Sequence, residues 1–233
     1  GIDAPQSCGA AEFVSWFDGH PDVPRTWPLE AESVAVLGNG NVALDISRML
    51  IKHADDLLTT EIPDNVYEGL KANPIQELHL FGRRGPASVK YTPLELRELG
   101  EVRDVDIVLN EDDFLVEDPH GQAIAAENKQ AKVLTRIFDT WRKAQGEGQT
   151  GSRKLYMHFW SKPVELVTEG EGDDRKVIAI RVERTLPDHE GGIIGTGEFR
   201  DIPVQAFYRA VGYFGSPLDE IPFDATSGVI PND

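Results

Sequence analysis

The clearest pattern in the chain is an apolar run, then a glycine-rich turn, then an amphipathic segment. Residues 33–37 form a predicted strand, since Ser33 is followed by an apolar run rich in β-branched side chains, which is typical of a buried strand. Residues 41–53 carry apolar side chains at helical spacing. Between them lies the Gly-x-Gly-x-x-Ala turn Gly38-Asn39-Gly40-Asn41-Val42-Ala43. The pattern therefore predicts a strand, a tight turn and a helix in direct succession.

This turn has the features that a dinucleotide pyrophosphate requires. Gly38 permits the tight turn, and Gly40 lets backbone and phosphate approach closely because it has no Cβ. Ala43 is small enough for the helix to lie near the strand. Asn39 and Asn41 are turn-forming residues whose backbone N–H groups are candidate phosphate donors at a helix start. We predict dinucleotide binding here, and the alternative is a purely structural glycine turn.

A second strand is predicted at 78–81, and the run Gly82-Arg83-Arg84-Gly85-Pro86 follows it. The ends of adjacent parallel strands line one crevice, so this run should lie beside the glycine turn. An NAD site usually has an acidic residue at this position, whereas two guanidinium groups suit a ribose 2′-phosphate. Arg83 and Arg84 therefore favour NADP over NAD, the alternative being a surface pair in weak salt bridges. An irregular excursion over 55–74 explains the long spacing from Gly38.

A further helix is predicted to start after Thr92, with Pro93 at its first position and Glu95 at its third. Glu95 has two interpretations. It completes a capping box with Thr92, or it reaches into the crevice and accepts hydrogen bonds from a nicotinamide carboxamide. The pattern alone prefers the capping role.

The remaining pattern predicts an α/β domain. Two strand–helix units followed by several strands indicate a Rossmann-like three-layer nucleotide-binding domain of the FAD/NAD(P)-binding, disulfide-reductase-like class, with an antiparallel β excursion. We expect one domain over 1–233, with an entry segment at 1–30 and an α/β core at 31–233. The acid-rich segment 101–118 is expected to be a solvated face. Other predicted elements are helices at 10–17 and 123–145, strands at 105–109, 155–159, 163–168, 177–185 and 205–211, and a glycine-rich, hairpin-like loop over 191–197 between the last two strands.

Composition narrows the classes of function. The 233-residue chain has a formal net charge of −17, which argues against nucleic acid and anionic membranes as partners. It has one cysteine and no apolar run long enough to span a bilayer. We therefore expect no disulfide and no metal site, and a cytoplasmic location. The N-terminal residues have no signal-peptide pattern, and the missing initiator Met suggests processing or a longer parent chain.

Several motifs together resemble a known family along nearly the whole chain. They are Phe13-Val14-Ser15-Trp16-Phe17, Gly38–Asp45, Gly82–Pro86, Thr92–Leu99, Val211-Gly212-Tyr213, and the closing run from Ile221 to Asn232. The chain resembles the NADPH-binding domain of ferredoxin–NADP reductases of the adrenodoxin-reductase type. The resemblance implies that residues 39–42 hold the pyrophosphate and that Arg83 and Arg84 bind the 2′-phosphate. It also assigns Glu95 to the nicotinamide carboxamide, as the catalytic candidate.

The resemblance also implies a reaction and partners. In that family a hydride passes from NADPH to FAD, and electrons then leave singly for a ferredoxin. The NADPH domain is inserted in an FAD domain, and this chain has no second Gly-x-Gly-x-x-Gly for FAD. We therefore expect an NADPH-binding half, inactive when isolated, whose FAD domain lies elsewhere. The chain departs from the family at Ser88-Val89-Lys90-Tyr91 and over 112–151. The alternatives are a stand-alone NADP(H)-binding or sensing module and, ranked last, a flavin-free dehydrogenase.

Overall fold

The fold contains a parallel and an antiparallel β-sheet. The computed structural model describes residues 1–146, 148–188, 190–212, 217–226 and 228–231, so Tyr213 and Asn232 of the resemblance lie outside the described residues. The strands are β1 (Ser7–Gly9), β2 (Ser33–Leu37), β3 (Glu77–Phe81), β4 (Val105–Leu109), β5 (Arg153–His158), β6 (Ser161–Glu169), β7 (Lys176–Pro187), β8 (Ile193–Pro203) and β9 (Ala206–Arg209). The helices are α1 (Ala10–Phe17), α2 (Asn41–Ile51), α3 (Asp64–Ala72), α4 (Pro93–Gly100), α5 (Glu111–Phe114), α6 (Pro119–Glu127) and α7 (Lys129–Ala144), with short 3₁₀ helices at Ala54–Leu57, Pro86–Ser88 and Gly172–Asp174.

The six-stranded sheet has the order β1-β9-β2-β3-β5-β4, and all its neighbouring pairs are parallel. Its central strands β2 and β3 pair in register, from Ser33 opposite Glu77 to Leu37 opposite Phe81. The three-stranded sheet has the order β6-β7-β8 and is antiparallel. Because parallel strands all end at one edge, the loops after β2 and β3 start side by side.

Three layers result from the alternation of side chains along the parallel strands. Val34 and Val36 of β2 pack into the larger core with the helices. Ala35 and Phe81 face the other way and pack with Ile180 of the antiparallel sheet. The predicted Rossmann-like three-layer class is confirmed, and the predicted antiparallel excursion forms the layer opposite the helices.

Some predicted boundaries need correction. The excursion over 55–74 is not irregular throughout, because Val66 and Leu70 lie one turn apart and bury one face of α3. The helix predicted over 123–145 is two helices. Asn128 caps α7, and its side chain accepts hydrogen bonds from the backbone N–H groups of Gln130 and Ala131. A local side-chain cap competes with helix continuation, which explains the break.

Three further segments, 191–197, 1–30 and 101–118, also differ from the prediction. The glycine-rich segment 191–197 was expected to be a loop between two strands, but most of it belongs to the eleven-residue strand β8. Residues 1–30, expected as an entry segment, supply edge strand β1, and they bury Phe13 and Trp16 in the larger core. The acid-rich segment 101–118 is not wholly solvated, because Asp113 is buried in an ion pair with Arg184. No helix within the described ranges has the length and apolar character needed to cross a membrane.

Candidate functional site

The glycine turn and the arginine run lie against each other at the carboxyl edge of the parallel sheet. Gly38 and Gly82 follow the paired residues Leu37 and Phe81 directly. A Cβ added to Gly82 would lie only 2.8 Å from the side-chain oxygen Oδ1 of Asn39. We name residues 38–43 the glycine turn and residues 82–85 the arginine loop. The prediction that the two share one crevice is therefore consistent with their direct contact.

The two glycines of the turn are needed for different reasons. A Cβ on Gly38 would lie 2.5 Å from the carbonyl oxygen of Ala210 and 2.8 Å from the Cβ of Ala43, so this position permits close packing. Ala43 is fully buried at that contact. A Cβ on Gly40 would meet nothing within 4 Å and would instead project into open space. Gly38 thus serves the packing of α2 on the sheet, and Gly40 keeps the space in front of the helix start free.

Helix α2 begins at this open space without a side-chain cap. Its N-cap is Gly40, which has no side chain to accept hydrogen bonds, and its first turn contains no acidic residue. Helix starts carry partial positive charge and incompletely satisfied N–H groups. Asn41 and Val42 occupy the first two helical positions and are both partly buried. The arrangement is suited to an anion.

The segment after the arginine loop returns along the glycine turn. The backbone N–H of Lys90 donates to the carbonyl oxygen of Asn39 at 2.9 Å, and Lys90 forms an isolated parallel bridge with Gly40. The hydroxyl of Tyr91 donates to Oδ1 of Asn39 at 2.9 Å. Burial raises the pKa of Tyr91, so its hydroxyl remains a donor. These contacts hold Asn39 from both its backbone and its side chain.

The two arginines of the loop differ in their surroundings. Arg83 is exposed, and its side chain makes no hydrogen bond or ion pair with the residues that the structure describes. Arg84 is half-buried, and its Nη1 donates to the carbonyl oxygen of Gly191 at 2.7 Å. Gly191 lies in the connection between β7 and β8. Among the described residues Arg83 is therefore an unpaired cation in the loop that contacts the glycine turn, whereas part of the Arg84 guanidinium already holds a protein carbonyl.

The predicted capping box of α4 is only half formed. Oγ1 of Thr92 accepts from the backbone N–H of Glu95 at 3.4 Å, as predicted. The reciprocal bond is absent, because the backbone N–H of Thr92 donates to Oδ1 of Asn41 at 2.8 Å. Asn41 therefore links the starts of α2 and α4. The Glu95 carboxylate is released from the capping role that the pattern alone preferred.

Glu95 instead turns toward α2, where three carboxylates surround one guanidinium. Its Oε2 lies 3.4 Å from Nη2 of Arg48, which also pairs with Asp45 at 2.8 Å and with Glu98. Oε2 of Glu95 is buried and, among the described residues, has no hydrogen-bond partner. Burial and then the Asp45 carboxylate raise the pKa of Glu95, and Arg48 opposes them. Glu95 thus has spare acceptor capacity one turn from the start of α4.

The structure also brings residues to this edge that sequence reasoning did not assign to a site. Lys90 is exposed beside Gly40, and no described side chain pairs with it. Tyr91 and the side chain of Asn41 fix the two helix starts. Lys90 and Tyr91 follow no spacing rule, because they reach the turn through a loop return. The closeness of the segment 88–91 to the arginine run was the only available signal.

The fold and these two loops define the class of Rossmann-like nucleotide-binding domains in which an antiparallel sheet covers the face of the parallel sheet opposite the helices. Among solved structures, Mycobacterium tuberculosis FprA in complex with NADPH matches with a TM-score of 0.85 and 36% identity, over 100% of this chain and 50% of that one. The NADPH-ferredoxin reductase FprA of Mycobacterium tuberculosis is 36% identical over 235 residues, again 100% of this chain and 50% of the relative.

A plant protein is related in the same way. The mitochondrial NADPH:adrenodoxin oxidoreductase of Arabidopsis thaliana is 33% identical over 236 residues, which is 96% of this chain and 47% of the relative. No protein-family model matches the sequence. The chain is homologous to one part of these NADPH-ferredoxin and NADPH:adrenodoxin reductases. It spans about half the length of the curated relatives that it matches.

Proposed function

We propose that this chain is the NADP(H)-binding half of a flavoprotein ferredoxin–NADP⁺ reductase. The observation that carries the proposal is the contact between the glycine turn, where α2 starts without a side-chain cap, and the loop that carries Arg83, which is unpaired among the described residues. Both cationic elements lie at one sheet edge of a chain whose formal net charge is −17. Such local positive charge on a negative protein indicates an anionic ligand. Similarity to reductases with NADPH in their names supports the same choice.

The pyrophosphate would occupy the open space in front of Gly40. The absent Cβ leaves room for it, and the first N–H groups of α2 point toward that space because helix N–H groups face the N-terminus. We therefore assign residues 38–43 to the pyrophosphate, with Gly40, Asn41 and Val42 closest to it. Gly38 and Ala43 would act by letting α2 approach the sheet.

The 2′-phosphate would bind the arginine loop. Arg83 is our main candidate, because it is exposed and has no protein partner among the described residues. Arg84 contributes through N–H donors that Gly191 does not use, since a guanidinium has five of them. Charge-assisted hydrogen bonds of this kind are about twice as strong as neutral ones.

Glu95 would accept hydrogen bonds from the nicotinamide carboxamide. Its buried Oε2 takes part in no hydrogen bond with the described residues, although it lies 3.4 Å from Arg48, and its release from the capping box also supports this assignment. Bound NADPH would supply a hydride to an FAD held by the other half of the protein, and electrons would then pass singly to a ferredoxin. The residues of this chain would bind and orient the coenzyme for that transfer.

Isothermal titration of the full-length protein with NADP⁺ and NAD⁺ tests the proposal. We expect NADP⁺ to bind more tightly by at least about tenfold, since charged hydrogen bonds contribute about 1.5–3 kcal/mol each. Equal affinity for the two coenzymes would contradict the role of the arginine loop.

The full-length protein should also contain flavin and reduce a ferredoxin with NADPH. A purified full-length protein without flavin would instead support the stand-alone NADP(H)-binding module, which the similarity to half of a reductase does not favour. The expected cytoplasmic location stays a prediction.

A further inference from the structure

Three successive carbonyl groups of the arginine loop are held by residues far away in the sequence. The carbonyl oxygen of Gly82 accepts from the backbone N–H of Ser161 at 3.0 Å, and that of Arg84 accepts from the backbone N–H of Trp160 at 3.2 Å. The carbonyl oxygen of Arg83 between them accepts from a side chain, the hydroxyl of Thr185, at 2.8 Å. The backbone that carries the exposed Arg83 side chain is therefore fixed on both sides and at its centre.

Trp160 adopts a strained conformation that serves this contact. Its φ is +48°, in the left-handed region that non-glycine residues rarely adopt, and its ring is buried against Gly85. Its indole N–H donates to the carbonyl oxygen of Asp113 at 3.1 Å, and its own carbonyl accepts from the backbone N–H of Thr185 at 2.9 Å. Strain of this kind persists where surrounding contacts enforce it, and it concentrates at functional sites.

Thr185 lies at an irregular point of β7 and is fully buried. The pairing of β7 with β8 shifts register between Glu183 and Thr185. Such irregularities bend a strand and redirect its side chains, and they are frequent beside active sites. The left-handed backbone of Trp160 and the register shift at Thr185 thus both lie where the arginine loop is held. Thr185 belongs to the antiparallel layer, which holds none of the proposed binding residues.

We propose that Thr185 is a positioning residue that sets the preference for a 2′-phosphorylated dinucleotide by orienting Arg83. This inference rests on the proposed function. The hydroxyl holds the Arg83 carbonyl and so fixes the backbone from which the exposed Arg83 side chain extends, in the loop that contacts the glycine turn. Without the hydroxyl, the partly buried carbonyl loses its donor, and the loop must move to recover one. The antiparallel layer would then determine coenzyme selectivity without touching the coenzyme.

The test compares Thr185→Val, which keeps the shape and removes the hydroxyl, with Thr185→Ser, which keeps the hydroxyl. Dissociation constants of the full-length protein for NADP⁺ and NAD⁺ are measured by calorimetry. We expect Thr185→Val to weaken NADP⁺ about fivefold to tenfold and NAD⁺ by less than about twofold, as one lost hydrogen bond would. Thr185→Ser should stay within about twofold of the natural protein for both. If Thr185→Val does not fold, Thr185→Ala is measured instead and must give the same selective loss.

The outcomes separate the two proposals. Equal weakening of NADP⁺ and NAD⁺ by Thr185→Val, or no change in either, would overturn the positioning role. In an Arg83→Ala background, Thr185→Val should no longer change the ratio of the two constants, because the residues act through one path. A natural protein without any preference for NADP⁺ would refute the proposed function itself.

Discussion

The glycine turn and the arginine loop start side by side on paired strands, yet they are held in place in different ways. The glycine turn offers donors of its own, the first N–H groups of α2, although Lys90 and Tyr91 also hold Asn39. The arginine loop depends on Trp160 and Thr185, and on Gly191 of the antiparallel layer. The donors of a backbone anion site are therefore local in sequence, whereas the loop that carries the cationic side chains is held by distant residues.

The largest effect is expected at Gly40. Gly40→Val should weaken the binding of NADP⁺ and of NAD⁺ alike by more than about 100-fold. The valine side chain would occupy the space in front of the helix start, and the pyrophosphate would lose two or more charged hydrogen bonds. The fold should lose only about 1 kcal/mol, as for a poor N-cap residue. Calorimetric titration and thermal unfolding measure the two quantities.

Gly38→Ala is the matched control for that substitution. Its Cβ would overlap the Ala210 carbonyl and Ala43, so we expect a stability loss of about 1–3 kcal/mol. Retained binding by Gly40→Val, or an unaffected fold in Gly38→Ala, would contradict the division of roles between the two glycines.

The arginines should give the next effect, and only for one coenzyme. Arg83→Ala should weaken the binding of NADP⁺ by about 1.5–3 kcal/mol, roughly 10-fold to 100-fold, and leave the affinity for NAD⁺ unchanged. Arg84→Ala should weaken NADP⁺ less and also lower stability, because the Gly191 carbonyl loses its donor. Equal losses for NADP⁺ and NAD⁺ would rule out a 2′-phosphate contact.

Strand β3, which leads into the arginine loop, should make the stability of the fold sensitive to acid. Burial lowers the pKa of His79 to about 4, and its Nδ1 lies 2.9 Å from Nε2 of His158. The folded protein excludes a proton that the unfolded chain binds, so stability present above pH 6.5 is lost as pH falls toward 4. The free energy of unfolding, measured with urea, should be about 2 kcal/mol larger at pH 7 than at pH 5 from the contribution of His79 alone.

Two variants separate this contribution from general acid effects. His79→Gln should reduce the difference between pH 7 and pH 5, and His20→Gln, at an exposed position, should keep it. An unchanged pH dependence in His79→Gln would exclude His79 as the cause.

The smallest effect is expected at Glu95. Burial and Asp45 raise its pKa, so the ionised carboxylate destabilises the fold at neutral pH. Glu95→Gln should raise the thermal unfolding midpoint at pH 7 by a few degrees at most, and the gain should disappear in acid, where Glu95 is protonated. Glu98→Gln, which removes an ion pair with Arg48, should give no gain. A lower midpoint in Glu95→Gln would contradict the charge argument.

Local patterns predicted the parts of this protein that neighbouring residues decide. Short-range spacing predicted the strand and helix around the glycine turn, strand β3 with the two arginines that follow it, and the N-cap at Thr92. The structure contains all of these. Strand β8 and edge strand β1 were missed, because a glycine-rich strand and a three-residue strand carry little periodicity. Their conformation depends on pairing with partners elsewhere in the chain.

The sequence by itself determined that a glycine turn precedes a helix and that two arginines follow the neighbouring strand. Only the tertiary structure decided that Arg83 has no partner among the described residues while Arg84 holds Gly191, and that Asn41 replaces Glu95 in capping α4. It also brought Thr185 to the Arg83 carbonyl. The physical reason is that turns and helix starts form through local hydrogen bonds. The partners of an exposed or half-buried side chain are instead chosen by whichever distant groups the packed layers bring within about 3 Å.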